Sequence, residues 1–177
     1  MTIRIVLVVA ASLDRVIGRS NALPWHLPGD LKRFKARTID KTVVMGRRTW
    51  DSIGQKPLPR RRNIVISRDP GFLAPGAEVA RSFGHAVAIA DVGGADGELV
   101  VLGGAGVYQD ALPQASRIIL SLVHTRVPDG DVHLPDLGTG WVVRDQQEHD
   151  DVIAVTDYVL ERSTGPADAR PPFVWPA

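Results

Sequence analysis

The chain contains no cysteine, so disulfides and thiol chemistry are excluded, which suits a reducing cytoplasm. No apolar stretch is long enough to span a bilayer. The most apolar run, MTIRIVLVVAAS, loosely mimics a signal peptide, but it is short for one and reads better as a buried strand. An excess of charge is also missing. The net charge of +1 gives no global field that would draw the chain to nucleic acid or a membrane. No internal repeat is visible. What is present is a chain of 177 residues, 44% hydrophobic, enough for one domain with a real core. The 17 glycines and 13 prolines imply many turns.

Short β-branched runs recur at residues 3–9, 42–45, 63–67, 98–102 and 117–123. They lack alternation, as strands covered on both faces do. Helical patterns at 28–37, 48–53, 85–90 and 105–112 lie between them. The alternation predicts an α/β fold around a mostly parallel central sheet. After Trp141, WVVRDQQEHDD and VIAVTDYVLERS read as two longer strands paired antiparallel at one edge. The Pro-rich stretch from Gly165, GPADARPPFVWPA, lies beyond the last strand. It is expected to be a tail, either disordered or laid over the surface through Phe173 and Trp175. The expected division is therefore a domain over 1–162 and a tail over 163–177.

Four segments carry chemical signals. In LPWHLPGDLKRFKART, helical spacing puts Asp30 on the side of Leu27, Leu31 and Phe34, opposite Lys32, Arg33 and Lys35. An acid in the first turn after Pro28 suits the helix dipole, and it equally suits a ligand with a donor-rich edge. In TVVMGRRTWDSI an apolar strand runs through a Gly46 turn into a helix carrying Arg47, Arg48 and Thr49. This is either an anion site or a solvated arginine pair. NIVISRDPG places Ser67 and Arg68 at a strand's carboxyl end, where α/β sheets bind ligands. Ser plus Arg there fits a ribose 2′-phosphate, although SRDP is also a common turn. VVLGGAGVYQDAL turns through Gly103, Gly104, Ala105 and Gly106 into a helix, a backbone that can approach a pyrophosphate closely. The irregular loop SLDRVIGRSNALPW is a candidate lid or an ordinary crossover.

Taken in order, DRVIG, N-x-L-P-W-x-L-P-x-D, MGRRTWDSI, PLPRRRNIVIS and GGAGVY closely resemble the dihydrofolate reductase family of bacterial chromosomal type, over nearly the whole chain to about residue 162. The resemblance implies about eight strands and four helices, NADPH as cofactor, dihydrofolate as substrate and no metal. It also implies a monomer and competition by diaminopyrimidine and pteridine antifolates. By similarity Asp30 is the pterin-binding acid, with Trp25 reaching it through a water and Ser121 beside it. Val8, Val9, Leu31, Phe34, Ser52, Ile53, Leu58, Leu102 and Tyr108 are implied around the substrate, and Arg61 as the clamp on its glutamate carboxylate. Around the cofactor the resemblance implies Ala10, Ile17, Gly18, Asn21 and Leu23 from the strand and lid. It adds Gly46, Arg47, Arg48, Thr49, Ser67, Arg68 and Arg81 at the phosphates, and Gly103, Gly104, Ala105, Gly106 and Val107 at the glycine turn. The pair Gly103-Gly104 is expected to be joined by a cis peptide, and Asp131 to pin the lid.

The chain departs from the family pattern at Ser121, where threonine is usual, at Leu23, where methionine is common, and at Arg68, where serine is frequent. Gln55-Lys56 lengthens the loop before Pro57. A same-fold pyrimidine reductase of riboflavin synthesis would share the NADPH glycines without needing Asp30 or Arg61. A non-catalytic folate- or NADPH-binding protein would not need an intact Asp30.

Overall fold

In the computed structural model, which describes residues 2–92 and 97–177, β1 (Arg4–Ser12) is the central strand. Its run of β-branched residues is buried on both faces. Ile5, Leu7, Val9 and Ala11 enter one core cluster, while Val6 and Val8 enter another. That split follows from the two-residue period of a strand. Around it the sheet is ordered β5-β4-β3-β6-β1-β7-β10-β9. The strands are β3 (Thr42–Gly46), β4 (Arg62–Ile66), β5 (Glu78–Ala80), β6 (Glu98–Val101), β7 (Ala115–Val123), β9 (Trp141–His149) and β10 (Val155–Arg162). Pairing is parallel from β5 through β7. β10 is antiparallel to both β7 and β9, which makes the expected C-terminal edge hairpin. Two very short strands, β2 (Val16–Gly18) and β8 (Val132–His133), form a separate ladder.

Helices cover both faces. α3 (Phe83–Asp91) and α4 (Ala105–Ala111) bury Phe83, Ala86, Tyr108 and Ala111 in the first cluster. On the second cluster, α2 (Arg47–Ser52) buries Trp50, and Phe34 of α1 (Pro28–Thr38) packs against its edge. Among the described residues no helix is long and apolar enough to cross a membrane. The strands β2, β5 and β8 do not stand out in the sequence, because two or three residues are too few to show a period.

The C-terminal segment is laid along the β9 edge. Val143 N donates to Pro171 O at 2.8 Å and Phe173 N to Trp141 O at 2.9 Å. Phe173 meets Tyr158 edge-on at 5.3 Å, and Trp175 meets Phe173 at 6.1 Å. Trp175 Nε1 donates to Leu13 O at 2.9 Å, and the Arg15 guanidinium lies 4.4 Å from its ring centre. At the low end of their usual ranges, two edge contacts, one cation–π contact and these three hydrogen bonds sum to about 3 kcal/mol. Removing residues 163–177 is therefore expected to lower the Tm by roughly 5–10 °C, read by thermal unfolding. An unchanged Tm would mean that the tail rests on the sheet without supporting it.

Candidate active site

The head of α1 is set by its sequence. Leu27 is extended at the N-cap (φ −125°, ψ 97°), Pro28 opens the helix, and Asp30 falls in the first turn. No side chain of the cap serves the free N–H groups; Gly29 N instead donates to Asp151 Oδ2 at 3.0 Å. Asp30 is 8% exposed. Burial pushes its pKa above the usual carboxylate range; the Ser121 hydroxyl and Arg33 oppose the rise, the negative charge of Asp157 adds to it, and Arg37 opposes it. Trp25 Nε1 is buried and has no acceptor among the described residues, an orphan donor of the kind a bridging water satisfies. Leu31, read from the spacing as a companion of Phe34, is 46% exposed. Phe34, Ile53, Leu58 and Leu102 are half-buried on one core cluster, and Ser52 ends α2 with its hydroxyl donating to Thr49 O.

The carboxyl ends of β3 and β6 meet beside β1. Gly46 N donates to Gly103 O at 2.7 Å, and Gly103-Gly104 is cis, as expected. Gly103 has φ +114°, and a Cβ there would sit 3.2 Å from the Tyr108 ring, so the position demands glycine. A Cβ on Gly46 would approach Val107 at 3.2 Å, and one on Gly104 would face Thr49 Oγ1 at 3.7 Å. Gly46 and Gly104 are the N-caps of α2 and α4, and neither helix start is closed by a side chain. Two sets of unserved N–H groups therefore lie together, an arrangement suited to phosphate. Ala105 and Gly106 form the first turn of α4, and nothing lies within 4 Å of where a Gly106 Cβ would be. Tyr108 is buried with its hydroxyl on Val8 O at 2.8 Å, and burial pushes the phenol above its ordinary range. Val9 is buried beside Val8, and Ala10 is half-buried.

The basic residues differ in how much of their charge is already used. Arg47 pairs with Asp69 at 3.3 Å and lies over Phe72 at 4.8 Å. Arg48 and Arg68 are exposed and make no ion pair or hydrogen bond among the described residues. Arg81 donates to the carbonyls of Ser67, Asp69 and Pro70, so its fork closes the turn after β4. Ser67 is buried, its Oγ accepting from Asp69 N at 3.3 Å. Arg60 pairs with Asp40 at 2.6 Å and Arg62 with Glu78 at 2.7 Å. Arg61 between them meets only neutral acceptors, Thr38 Oγ1 at 3.0 Å and Pro59 O at 2.8 Å. Its charge is oriented but not neutralised, which suits an incoming carboxylate.

The loop after β1 is tied down at both ends. Asp14 accepts from Val127 N at 3.0 Å, and Ser12 Oγ from Val16 N at 2.9 Å. Asp131 Oδ2 accepts from Ser20 N at 2.9 Å, and Asp131 N donates to Gly18 O at 3.1 Å. Ile17 packs on the core, whereas Leu23 is 49% exposed and Asn21 sits at φ +58°.

The family model described as dihydrofolate reductase matches residues 4–162. The chain belongs to the dihydrofolate reductase family. A protein named dihydrofolate reductase type 3 from Salmonella typhimurium is 45% identical over 166 residues, spanning 93% of this chain and 89% of its own. The dihydrofolate reductase of Mycobacterium leprae (strain TN) is 45% identical over 140 residues, 77% of this chain and 83% of that one. A dihydrofolate reductase structure from Enterococcus faecalis, complexed with NADP(H) and RAB-propyl, aligns with a TM-score of 0.83 at 30% identity. The alignment covers 90% of this chain and 96% of that one.

Within this dihydrofolate reductase fold, a polar cluster behind Asp30 escaped the sequence reading. Asp157 of β10 is 5% exposed. It lies 3.0 Å from Arg33 Nε, 2.6 Å from Arg37 Nη2 and 3.0 Å from His149 Nε2, and accepts from Ser121 Oγ at 2.7 Å. Arg33, assigned by helical spacing to the polar side, is drawn inward by Asp157. The register that sets Asp157 opposite Ser121 joins residues distant in sequence, so no local pattern could reveal it.

Proposed function

We propose that the protein reduces 7,8-dihydrofolate to 5,6,7,8-tetrahydrofolate, using NADPH, over a reductase unit spanning 1–162 with a structural tail at 163–177. The observation that carries the reading is Asp30, a carboxylate 8% exposed, with a raised pKa, at the head of a helix bordered by half-exposed apolar side chains. Such a carboxylate accepts two parallel hydrogen bonds, and the pterin 2-amino group and adjacent ring N–H supply that pair. Burial raises its pKa, so it takes up a proton more readily than an exposed carboxylate and promotes protonation of pterin N5, through a water shared with Trp25 Nε1. N5 protonation makes C6 the better acceptor. NADPH, when bound, supplies the hydride.

The remaining residues bind and orient. Leu31, Phe34, Ile53 and Leu58 exclude water from the pterin and benzoyl groups, and Arg61 engages the glutamate α-carboxylate. The uncapped starts of α2 and α4 suit the pyrophosphate, and Arg48, Ser67 and Arg68 suit the 2′-phosphate. A protonated diaminopyrimidine would compete for Asp30 through the same paired contact.

The test is the fall in NADPH absorbance on adding dihydrofolate, with NADH as comparison. No NADPH oxidation would end the proposal. Arg61→Gln is expected to raise KM for dihydrofolate by about 10- to 100-fold, the loss of one charge-assisted pair, with KM for NADPH unchanged. An equal rise in both constants would remove the clamp role.

A further inference from the structure

Asp157 is a second buried carboxylate that the chemistry above does not use. It lies across β7 from the core, in register with Ser121, and α1 packs over both. The groups facing it are Arg33 and Arg37 from α1, Ser121 from β7 and His149 from β9. At the start of α1, Asp151 holds Gly29 N, and a Cβ on Gly29 would meet both Asp151 Oδ2 at 2.8 Å and Arg33 Nη1 at 3.1 Å, so Asp151 is a third carboxylate near Arg33. Two of the groups facing Asp157 also act on Asp30. Arg33 Nη2 is 3.7 Å from Asp30 Oδ1 and Arg33 Nε is 3.0 Å from Asp157 Oδ2, so the guanidinium attracts both carboxylates by charge, is nearer to Asp157, and is aligned for a hydrogen bond with neither. The Ser121 hydroxyl lies between the two carboxylates with one proton: it donates to Asp157 Oδ1 at 2.7 Å, its oxygen accepts from Arg37 Nη1 at 3.2 Å, and a turn of the hydroxyl toward Asp30 lowers the Asp30 pKa. A hydroxyl cannot donate to both carboxylates at once.

The geometry points to Asp157 as a positioning residue for the reaction at Asp30: it competes with Asp30 for the Arg33 guanidinium and the Ser121 proton. The catalytic carboxylate then keeps its oxygens for the ligand's donors and remains able to take up a proton. This rests on the reductase reading for its kinetic consequence, but not for its electrostatic one. If Asp157 becomes neutral, a like charge disappears, Arg33 loses its nearer partner, and the Ser121 proton can turn to Asp30. All three changes favour ionised Asp30. Losing Arg33 instead removes a cation and acts in the opposite direction.

The experiment is a carbon NMR titration of the Asp30 carboxyl in the ligand-free full chain, as wild type, Asp157→Asn and Arg33→Gln. Asp157→Asn is expected to move the midpoint down by about half to one pH unit, and Arg33→Gln to move it up. The pH dependence of single-turnover hydride transfer is measured alongside. Its descending limb should follow the same shifts, so that Asp157→Asn loses roughly three- to ten-fold in rate on that limb. A role limited to holding the fold would move neither midpoint, or both the same way, and either result overturns the inference. So does a wild-type carboxyl titrating in the ordinary carboxylate range. If Asp157→Asn does not fold, the Arg33→Gln shift decides. Midpoints that separate as expected in a protein that does not reduce dihydrofolate would leave the electrostatic coupling intact and sink the reductase reading alone.

Discussion

Asp30→Asn is expected to slow hydride transfer to dihydrofolate by about 10²- to 10³-fold near neutral pH, the range of a lost general acid–base group. The amide keeps the shape and one acceptor, so NADPH affinity is expected to stay within about twofold, since Asp30 reaches no cofactor phosphate. Single-turnover kinetics with a parallel NADPH fluorescence titration reads both. A collapse of NADPH binding would show that Asp30 holds the fold of the cleft instead. Stability is expected to move the other way. The folded pKa of Asp30 lies above the unfolded value of 3.8. Between those values the folded state binds the proton more tightly, so stability falls as pH rises through the window. Above it, the wild type carries a buried charge that the amide lacks. Asp30→Asn should therefore melt higher than wild type at neutral pH and lose that advantage below the unfolded pKa.

The second large effect is cofactor choice. NADPH should exceed NADH in kcat/KM by on the order of 10²-fold, because a 2′-phosphate would gain charge-assisted hydrogen bonds from Arg48, Ser67 and Arg68. Arg48 and Arg68 are exposed, so the value is discounted for solvent screening. The double substitution Arg48→Ala, Arg68→Ala should bring the ratio below about tenfold, mainly through KM for NADPH. The preference should also shrink as ionic strength rises. A ratio unmoved by both treatments would take the phosphate role from these arginines. Arg81→Ala should cost stability more than cofactor preference, because its donors already serve three carbonyls of the turn after β4.

Some of the site was legible because it is local. Asp30, Pro28 and Leu27 lie within one turn, so spacing alone fixes their mutual positions on a helix. The turns at Gly46 and Gly103-Gly104 announce themselves by an apolar strand, glycine and a following helix pattern. The place of Asp30 on the helix and the order of the motifs follow from the sequence alone. Other features were not legible. Three consecutive arginines look alike in sequence; only the placement of Asp40 and Glu78 shows that Arg60 and Arg62 are neutralised while Arg61 is not. Leu31 has the spacing of a core residue and is half-exposed, because what covers a helix face is decided by the next layer.

By itself, then, the sequence determined the longer strands, the main helices, the place of Asp30 in the first turn of α1 and the glycine turns, since each depends on interactions within a few residues and on a period that folding preserves. Only the tertiary structure decided which charges remain free, that Trp175 ties down the loop after β1 at Leu13, and that Asp157 shares Arg33 and Ser121 with Asp30. Those outcomes depend on strand register and on contacts between distant parts of the chain, from Arg62 with Glu78 at a separation of 16 to Ser121 with Asp157 at 36. Charge pairing at that range is set by distance in space, which a linear pattern does not contain.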